Sequence, residues 1–302
     1  MGDQPGDGFA IIARRLGGRL QRHWTLHGGV SANVVALELA LPDGAVRQVV
    51  VRQHGATDWK PGESNVTANE YALLHGLADA GLPVPRPLMV DVSGEVLPRG
   101  FLVLPFVAHE PEGPSVALQV ERMAGFLSRL HALEAASLDI ASALPRRVDP
   151  VAGVLEYLPE GFDAARRLLS SGRALPALPE PQVLLHGDFW PGNILWRDQR
   201  IAAVIDWEDA AIGDPLADVA GCRVELLWHA GEDARNAFTG HYRRASGQVL
   251  DQARLAAWEL YVASSGLAYM DRWGLEEAIE TRMRQRTQQC LESAIRRLLD
   301  VS

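Results

Sequence analysis

Residues 183–207, VLLHGDFWPGNILWRDQRIAAVIDW, set three short apolar runs inside a part of the chain that is otherwise patterned for helices. Runs this short, separated by Gly, Pro and Asp-Gln, predict strand, loop, strand, turn and strand. A hairpin of the last two strands would bring Asn193, at the start of one, alongside Asp206, at the end of the other. Asp188 lies on the preceding loop. The segment therefore predicts an oxygen-rich cluster on a small piece of β-structure.

The first part of the chain has the pattern of a small sheet. Residues 33–53 form two β-rich runs around Asp43-Gly44, which is a strong signal for an antiparallel hairpin. A helix is predicted over about 64–80. The three prolines of LPVPRP exclude helix and favour an extended strand, and FLVLPFV, residues 101–107, predicts another strand. Residues 1–107 are therefore predicted to form an N-terminal antiparallel sheet with one helix.

The rest of the chain, residues 108–302, is predicted to be a larger and mainly helical domain. Apolar residues recur at helical spacing through SVALQVERMAGFLSRLHAL, and the tail from Pro215 to Leu299 returns to long amphipathic helices. The predicted fold class is α+β, with the sheet first and the helices after it.

Charge and composition exclude several classes of function. The net charge is -9 and no basic run occurs, so a nucleic-acid binder is not expected, and a cationic small-molecule substrate fits better. No apolar run reaches the roughly 18 residues of a membrane helix. The opening MGDQPGDG carries acids where a signal peptide has bases, which predicts a cytoplasmic protein with a frayed N-terminus. Cys222 and Cys290 lack metal-ligand spacing and are expected to be buried thiols.

The predicted cluster has the chemistry of a hard-cation site. Two carboxylates and one amide oxygen suit Mg²⁺, which prefers oxygen ligands and keeps waters for phosphate. A phosphate site with Mg²⁺ is the working hypothesis. A metal-dependent hydrolase using His186, Asp188 and Asp206 fits the same ligand types but leaves the first part of the chain unexplained.

The motif HGDFWPGNILW followed by IDWEDAAIGDPLADVA closely resembles the aminoglycoside phosphotransferase family, which has a two-lobed, protein-kinase-like fold. The resemblance implies that Asp188 accepts or orients the proton of the substrate hydroxyl. It implies that Asn193 and Asp206 bind Mg²⁺. These roles define a kinase that acts on a small molecule.

Three further residues of the same motifs would support the loop. The resemblance implies that His186 holds its shape and that Asp214 and Asp218 brace it by hydrogen bonding. For Asp214 and Asp218 a structural role is favoured, since GDP followed by a helix also makes Asp214 a natural helix cap.

The resemblance also assigns roles in the first domain. The backbone of Gly28, Gly29 and Ser31 would cover the phosphates, and the main chain near Phe106 and Val107 would hydrogen-bond a purine.

The same resemblance requires a cation on the third strand. Arg52 stands where most kinase-like folds have lysine, and the single lysine of the chain, Lys60, lies eight residues later. Arginine can contact two phosphate oxygens at once but needs more room. Glu70 occupies the helix position expected to pair with Arg52, although Thr67 and Glu70 also spell a capping box, in which Glu70 would bond a helix amide.

Other side chains keep two interpretations. Trp190 and Trp207 could stack on a substrate, and core packing explains them at least as well. The acidic residues of the helical domain could meet amines or form a solvated face; they are Glu208, Asp209, Glu225 and Asp233.

We therefore expect a phosphotransferase that moves the γ-phosphoryl group of ATP or GTP to a hydroxyl of a small molecule with the help of Mg²⁺. The alternative is a nucleotide-binding module with little or no catalysis, suggested by Arg52 and the sparse glycine loop.

Overall fold

The computed structural model describes residues 5–26, 32–55, 66–172, 175, 178 and 181–300. The chain separates into two compact units. Unit 1 is Met1–Glu110 together with Ile201–Glu208, and unit 2 is Pro111–Arg200 together with Asp209–Ser302. The predicted division at residue 107 had placed residues 201–208 with the helices.

The elements up to residue 110 alternate strands with two helices. In chain order they are α1 (Pro5–Arg15), β1 (Arg19–Thr25), β2 (Ala32–Ala40), β3 (Val46–His54), α2 (Val66–Asp79), β4 (Met89–Asp91) and β5 (Phe101–Pro105).

The remaining elements are mostly helices. They are α3 (Val116–His131), β6 (Arg146–Arg147), α4 (Val151–Tyr157), α5 (Asp163–Ser170), β7 (Val183–Leu185), β8 (Ile194–Arg197), β9 (Arg200–Val204), β10 (Ala211–Gly213), α6 (Pro215–Ala230), α7 (Glu232–Ser246), α8 (Gln252–Tyr269) and α9 (Glu277–Asp300). Short 3₁₀ turns occur between them, including Pro191–Asn193.

Unit 1 is built on a five-stranded sheet of order β1-β2-β3-β5-β4, with every pair antiparallel. The predicted hairpin is present: Gly44 has φ 84° and the Asp43 side chain accepts the Ala45 amide at 2.9 Å. Because β3 lies between β2 and β5, Arg52 is paired with Val34 on one side and Leu102 on the other. The sheet therefore holds the Arg52 backbone from both edges.

The expected frayed N-terminus is wrong from Pro5 onward. Residues Pro5–Arg15 form α1, and Phe9, Ile12 and Ala13 are buried against sheet residues such as Leu37. An amphipathic helix of this length is only marginally stable in isolation. Burial of its apolar face against the sheet stabilises it, which the composition of residues 1–8 does not indicate.

The segment LPVPRP does not form the extended strand that its prolines favoured. No regular element is present between the end of α2 and Met89, where β4 begins. Proline has no amide hydrogen to give to a sheet, so pairing starts only at the end of the segment, where the Leu88 amide donates to the Val103 carbonyl at 2.7 Å.

Five helices of unit 2 pack around a shared apolar core. Residues of α4, α5, α6, α8 and α9 contribute buried side chains to it, among them Val154, Leu169, Trp228, Leu260 and Leu291. Cys290 lies in this core, Cys222 is also buried, and both are thiols, as expected. None of the helices in the described ranges is both long enough and apolar enough to cross a membrane.

A small three-stranded sheet of order β6-β10-β7 lies among these helices. β10 is parallel to β6 and antiparallel to β7. The chain that leaves β7 enters the HGD loop, and the chain that leaves β10 enters α6 through Asp214. After β8 the chain turns through Asp198 and Gln199, both with positive φ, as a two-residue turn requires.

Candidate active site

The loop that follows β7 is shaped by one glycine. Gly187 has φ 88°, a left-handed conformation, and a Cβ atom there would lie 1.9 Å from the Asp209 carbonyl oxygen. Any other residue would be strained in its backbone and would collide with that carbonyl. The close approach brings the backbone of the loop against the chain that precedes β10.

Asp188 follows this glycine and is exposed. Its backbone amide donates to Nδ1 of the buried His186 at 3.2 Å, so His186 holds the turn from inside. The buried Asn193, at the end of a 3₁₀ turn, donates through Nδ2 to the Asp188 carbonyl oxygen at 2.9 Å and to Asp188 Oδ2 at 3.0 Å. Two bonds from one amide group fix both the backbone and the side chain of Asp188.

Asp218 braces the loop from below. Its buried carboxylate accepts the His186 amide at 2.7 Å and the Gly187 amide at 2.9 Å. Burial alone would raise the pKa of Asp218, but its hydrogen bonding and charge interaction with His131, at 3.3 Å, bring that pKa below its ordinary value. His131 in turn contacts the Tyr242 hydroxyl at 2.8 Å. A charged carboxylate therefore holds two successive loop amides.

Asp214 is bonded to the helices on either side of it. One oxygen caps α6 by accepting the Leu216 amide at 3.0 Å. The other accepts Arg254 Nη2 and Trp258 Nε1, each at 2.7 Å. The Asp214 amide also donates to the Arg147 carbonyl at 3.0 Å. Both the expected cap and a brace toward α8 are therefore present.

Arg52 in unit 1 is the centre of a second cluster. The guanidinium is buried and pairs with three carboxylates. Nη1 donates to Glu70 Oε2 at 2.5 Å, and Nη2 donates to both Asp206 and Glu208, the latter at 2.9 Å. These acids raise the pKa of Arg52 against the opposing effect of burial, so the group stays charged.

Glu70 forms the ion pair rather than the capping box. Its carboxylate contacts Arg52, lies 2.5 Å from His54 Nε2 and accepts the Trp207 amide at 3.4 Å. Burial raises the pKa of Glu70, but the charge of Arg52 and the bond to His54 outweigh it and lower the pKa to about 2. Thr67, the other half of the expected capping box, lies 3.1 Å from His54 Nδ1 instead.

Two members of this cluster were not among the predicted site residues. His54 is two residues after Arg52 on β3, and since alternate residues share a face of a strand, this spacing could have placed both on one face. The sequence suggests Glu208 only as an acid that could meet an amine. No local signal links it to Arg52, since the two are 156 positions apart.

The two tryptophans have different environments. Trp207 is fully buried and its indole nitrogen donates to the Val204 carbonyl at 3.0 Å, which is core packing. Trp190 is partly exposed and stacks on His229 with ring centroids 5.5 Å apart and planes 22° apart. Gly192 lies under its edge, where a Cβ would be 2.2 Å from the ring. Of the two tryptophans, Trp190 is therefore the one with a partly exposed ring, two positions after Asp188 in the sequence.

Phe106 and Val107 lie just after β5 and are partly buried. The Phe106 amide donates to the Gln48 carbonyl at 3.2 Å, and the Val107 carbonyl is 3.0 Å from His109 Nδ1. These two main-chain groups therefore already have partners within unit 1.

The predicted phosphate-covering residues Gly28, Gly29 and Ser31 lie outside the described residues, and so does Lys60. Within the described part of the chain, no group of three or more His, Cys, Asp or Glu side chains could by itself hold a metal ion.

The four acids proposed to meet amines do not share one setting. Glu208 pairs with Arg52 in unit 1, and Glu225 lies 3.3 Å from His229 in unit 2. Asp233 is exposed at the start of α7. Glu225, through His229, is the acid associated with Trp190.

A sequence model of the phosphotransferase enzyme family, the aminoglycoside phosphotransferase or APH family, matches residues 25–258. The chain belongs to this family. The match includes the HGD loop, Asn193 and the Arg52 cluster, and family membership supports a phosphotransferase activity in general.

Curated relatives include both short and long proteins. The chain is 29% identical over 182 residues to acyl-CoA dehydrogenase family member 11 of Gallus gallus, covering 53% of this chain and 23% of that protein. It is 29% identical over 213 residues to viomycin phosphotransferase of Streptomyces vinaceus, covering 60% of this chain and 71% of that one. The chain thus spans less than a quarter of the length of the first of these relatives.

Solved structures share the fold. The GDP and kanamycin complex of APH(2")-IIia superposes with a TM-score of 0.64 at 18% identity and covers 98% of both chains. The expected α+β, protein-kinase-like fold of this family is confirmed.

Proposed function

We propose that the protein transfers the γ-phosphoryl group of ATP or GTP to a hydroxyl of a small molecule. The observation that carries the proposal is the presentation of Asp188. Its carboxylate is exposed, while the groups that hold it, His186, Asn193 and Asp218, are all buried and bonded to the loop. A single acid held rigidly at the surface of a braced loop suits a group that must meet an incoming hydroxyl.

Asp188 would orient the acceptor hydroxyl and take its proton as the phosphoryl group is transferred. The bonds from Asn193 Nδ2 to the Asp188 carbonyl oxygen and to Asp188 Oδ2 support this role, because they fix the side chain relative to its own loop. Phosphoryl transfer needs little covalent help, so positioning of this kind accounts for most of what the protein supplies.

The donor atoms fit Mg²⁺, which when bound would neutralise the phosphate charge. The amide nitrogen of Asn193 faces Asp188, so its carbonyl oxygen is turned away and suits a hard cation. In unit 1 three carboxylates face one guanidinium, and this surplus of negative charge favours a divalent cation at Asp206. The family resemblance implies that Asn193 and Asp206 bind Mg²⁺.

The first unit would bind the nucleotide. Arg52, kept charged and tied to Glu70, would contact the phosphates, and the main chain at Phe106 and Val107 would contact the base. The backbone of Gly28, Gly29 and Ser31 keeps its expected role in covering the phosphates.

The acceptor would be a small hydroxylated compound, and the charge of the chain favours a cationic one. Residues 111–302 carry 27 acids and 20 bases, against 11 and 9 in residues 1–110. An acidic surface attracts amines by long-range electrostatics. Viomycin and kanamycin enter the test panel because one relative is named for the first and a similar structure contains the second.

The test is nucleoside diphosphate release from Mg-ATP and Mg-GTP across a panel of hydroxylated compounds. One compound should stimulate release, and Asp188→Asn should lower the stimulated rate by at least about 100-fold while nucleotide still binds. Asp139→Asn, at an exposed position in the same unit, is the matched control and should keep full activity. Unchanged turnover in Asp188→Asn would refute the assignment.

A second candidate is a nucleotide-binding module without catalysis. The observation that favours it is Arg52, which stands where most kinase-like folds have lysine and whose guanidinium is engaged by three carboxylates. This candidate predicts Mg-nucleotide binding with no acceptor that stimulates diphosphate release. The hydrolase interpretation is disfavoured, because His186 is buried and its Nδ1 accepts the Asp188 amide.

A further inference from the structure

The guanidinium of Arg52 is held at two different nitrogens. Nη1 donates to Glu70 at 2.5 Å, and Nη2 donates both to Asp206 and to Glu208 at 2.9 Å. An Nη group has two hydrogens, so these two acids use the full donor capacity of Nη2. Arg52 cannot turn Nη2 toward a phosphate without loosening one of them.

The proposed function indicates which of the two acids, Asp206 or Glu208, would release Arg52 Nη2. If Asp206 binds Mg²⁺, its carboxylate is drawn to the cation and one hydrogen of Nη2 becomes available to phosphate. With Asp206 gone, Glu70 and His54 would contact the guanidinium only at Nη1, and the head group could rotate about that nitrogen. Glu208, at an ordinary hydrogen-bond distance on the second nitrogen, is the group that prevents this.

We propose that Glu208 is a positioning residue that keeps the Arg52 guanidinium in place when Asp206 binds Mg²⁺. The inference rests on the proposed function and adds a role that is specific to arginine. The planar fork of a guanidinium binds Glu70 and Glu208 through separate nitrogens, whereas a lysine ammonium is a point charge without that fork. Arg52 and Glu208 therefore act as a matched pair.

The charges of the cluster support this role. Three carboxylates surround one guanidinium, so Glu208 adds negative charge beside groups that are proposed to bind phosphate. A carboxylate that only added charge would weaken anion binding. Glu208 is mostly buried and directly bonded to Arg52. Its effect on phosphate binding should therefore depend on how it orients the Arg52 side chain.

The experiment is a double-mutant cycle on nucleotide binding. The Kd of Mg-ADP, or of Mg-GDP if the wild type prefers it, is measured by titration calorimetry for Glu208→Ala and Glu208→Gln, each with Arg or Lys at position 52. Glu95→Ala, an exposed acid of the same unit, is the control. Thermal melting of every variant verifies that it is folded.

With Arg52 present, Glu208→Ala should weaken binding by about tenfold, the scale of a hydrogen bond to a charged group. Glu208→Gln retains an acceptor oxygen and should weaken binding less, by about threefold. With Lys at position 52, Glu208→Ala should change Kd by less than about twofold, because the second nitrogen that Glu208 holds is absent.

Several results would overturn the inference. Equal effects of Ala and Gln, or tighter binding in both, would mean that Glu208 acts only as a charge. An effect that persists with Lys at position 52 would mean that Glu208 serves the cation itself, and a Mg²⁺ titration at fixed nucleotide would then shift. If the wild type binds no nucleotide, both the proposed function and the inference are refuted. If the wild type binds nucleotide normally and Glu208→Ala binds it equally well, only the inference is refuted.

Discussion

Glu70 gives the sharpest quantitative prediction, because its carboxylate is buried and its charge depends on Arg52. Its pKa is lowered from an ordinary value of 4.5 to about 2. A carboxyl group whose pKa is lower in the folded state stabilises the fold above its unfolded pKa. That stabilisation is lost as the pH falls toward the folded pKa, and at neutral pH it amounts to about 3 kcal/mol.

The perturbation is Glu70→Gln, which keeps the shape of the side chain and removes its charge. Arg52 retains Asp206 and Glu208, so it does not become an unpaired buried charge. Relative to the wild type, the variant should lose about 3 kcal/mol at pH 7 and roughly half of that at pH 3, with an intermediate loss at pH 4. The decline follows from protonation of the wild-type carboxyl.

The assay is urea unfolding at these three pH values, followed by tryptophan fluorescence. Glu95→Gln, which removes an exposed carboxylate of the same unit, should differ from the wild type by less than about 0.5 kcal/mol at each pH. A loss for Glu70→Gln that is the same at all three pH values, or no loss at pH 7, would refute the reasoning, because neither result is compatible with an Arg52-stabilised charge.

Two further predictions concern the HGD loop. Gly187→Ala should destabilise the protein by more than about 3 kcal/mol in thermal melting, because its Cβ would collide with the Asp209 carbonyl. Gly172→Ala is the control: Gly172 also has positive φ but has open space around it, so the substitution should cost about 1 kcal/mol. Asp218→Ala should cost about 2 to 4 kcal/mol, because it leaves two buried loop amides without their acceptor, and it should speed hydrogen exchange at Gly187. Slow exchange retained at that amide would contradict the brace.

The parts of the molecule that could be predicted are those that depend on residues close together in the sequence. The hairpin at Asp43-Gly44, the strand, loop and strand around the HGD motif, and the placement of Asp188 and Asn193 on one tight loop all depend on spacings of a few positions. Turn chemistry and strand periodicity act at that range, so the pattern contains them.

The parts that could not be predicted depend on packing or on distant pairs. Helix α1 is stabilised by packing against the sheet that it covers. The contact between Arg52 and Glu208 joins positions 156 apart, and no periodicity records it. Similarly, the pattern of residues 201–208 shows a strand but does not show which core that strand joins.

The membership of Ile201–Glu208 in unit 1 means that the two units are not separable modules. A fragment cut at Glu110 would lose Asp206 and Glu208, two of the three partners of Arg52, and also the Val204 amide that donates to the Pro83 carbonyl. Recombination between relatives at that boundary would join an arginine from one parent to acids from another. Arg52 and its partners must therefore be inherited together across 156 positions, about half of the 302-residue chain, which ties the evolution of the first hundred residues to that of residues 201–208.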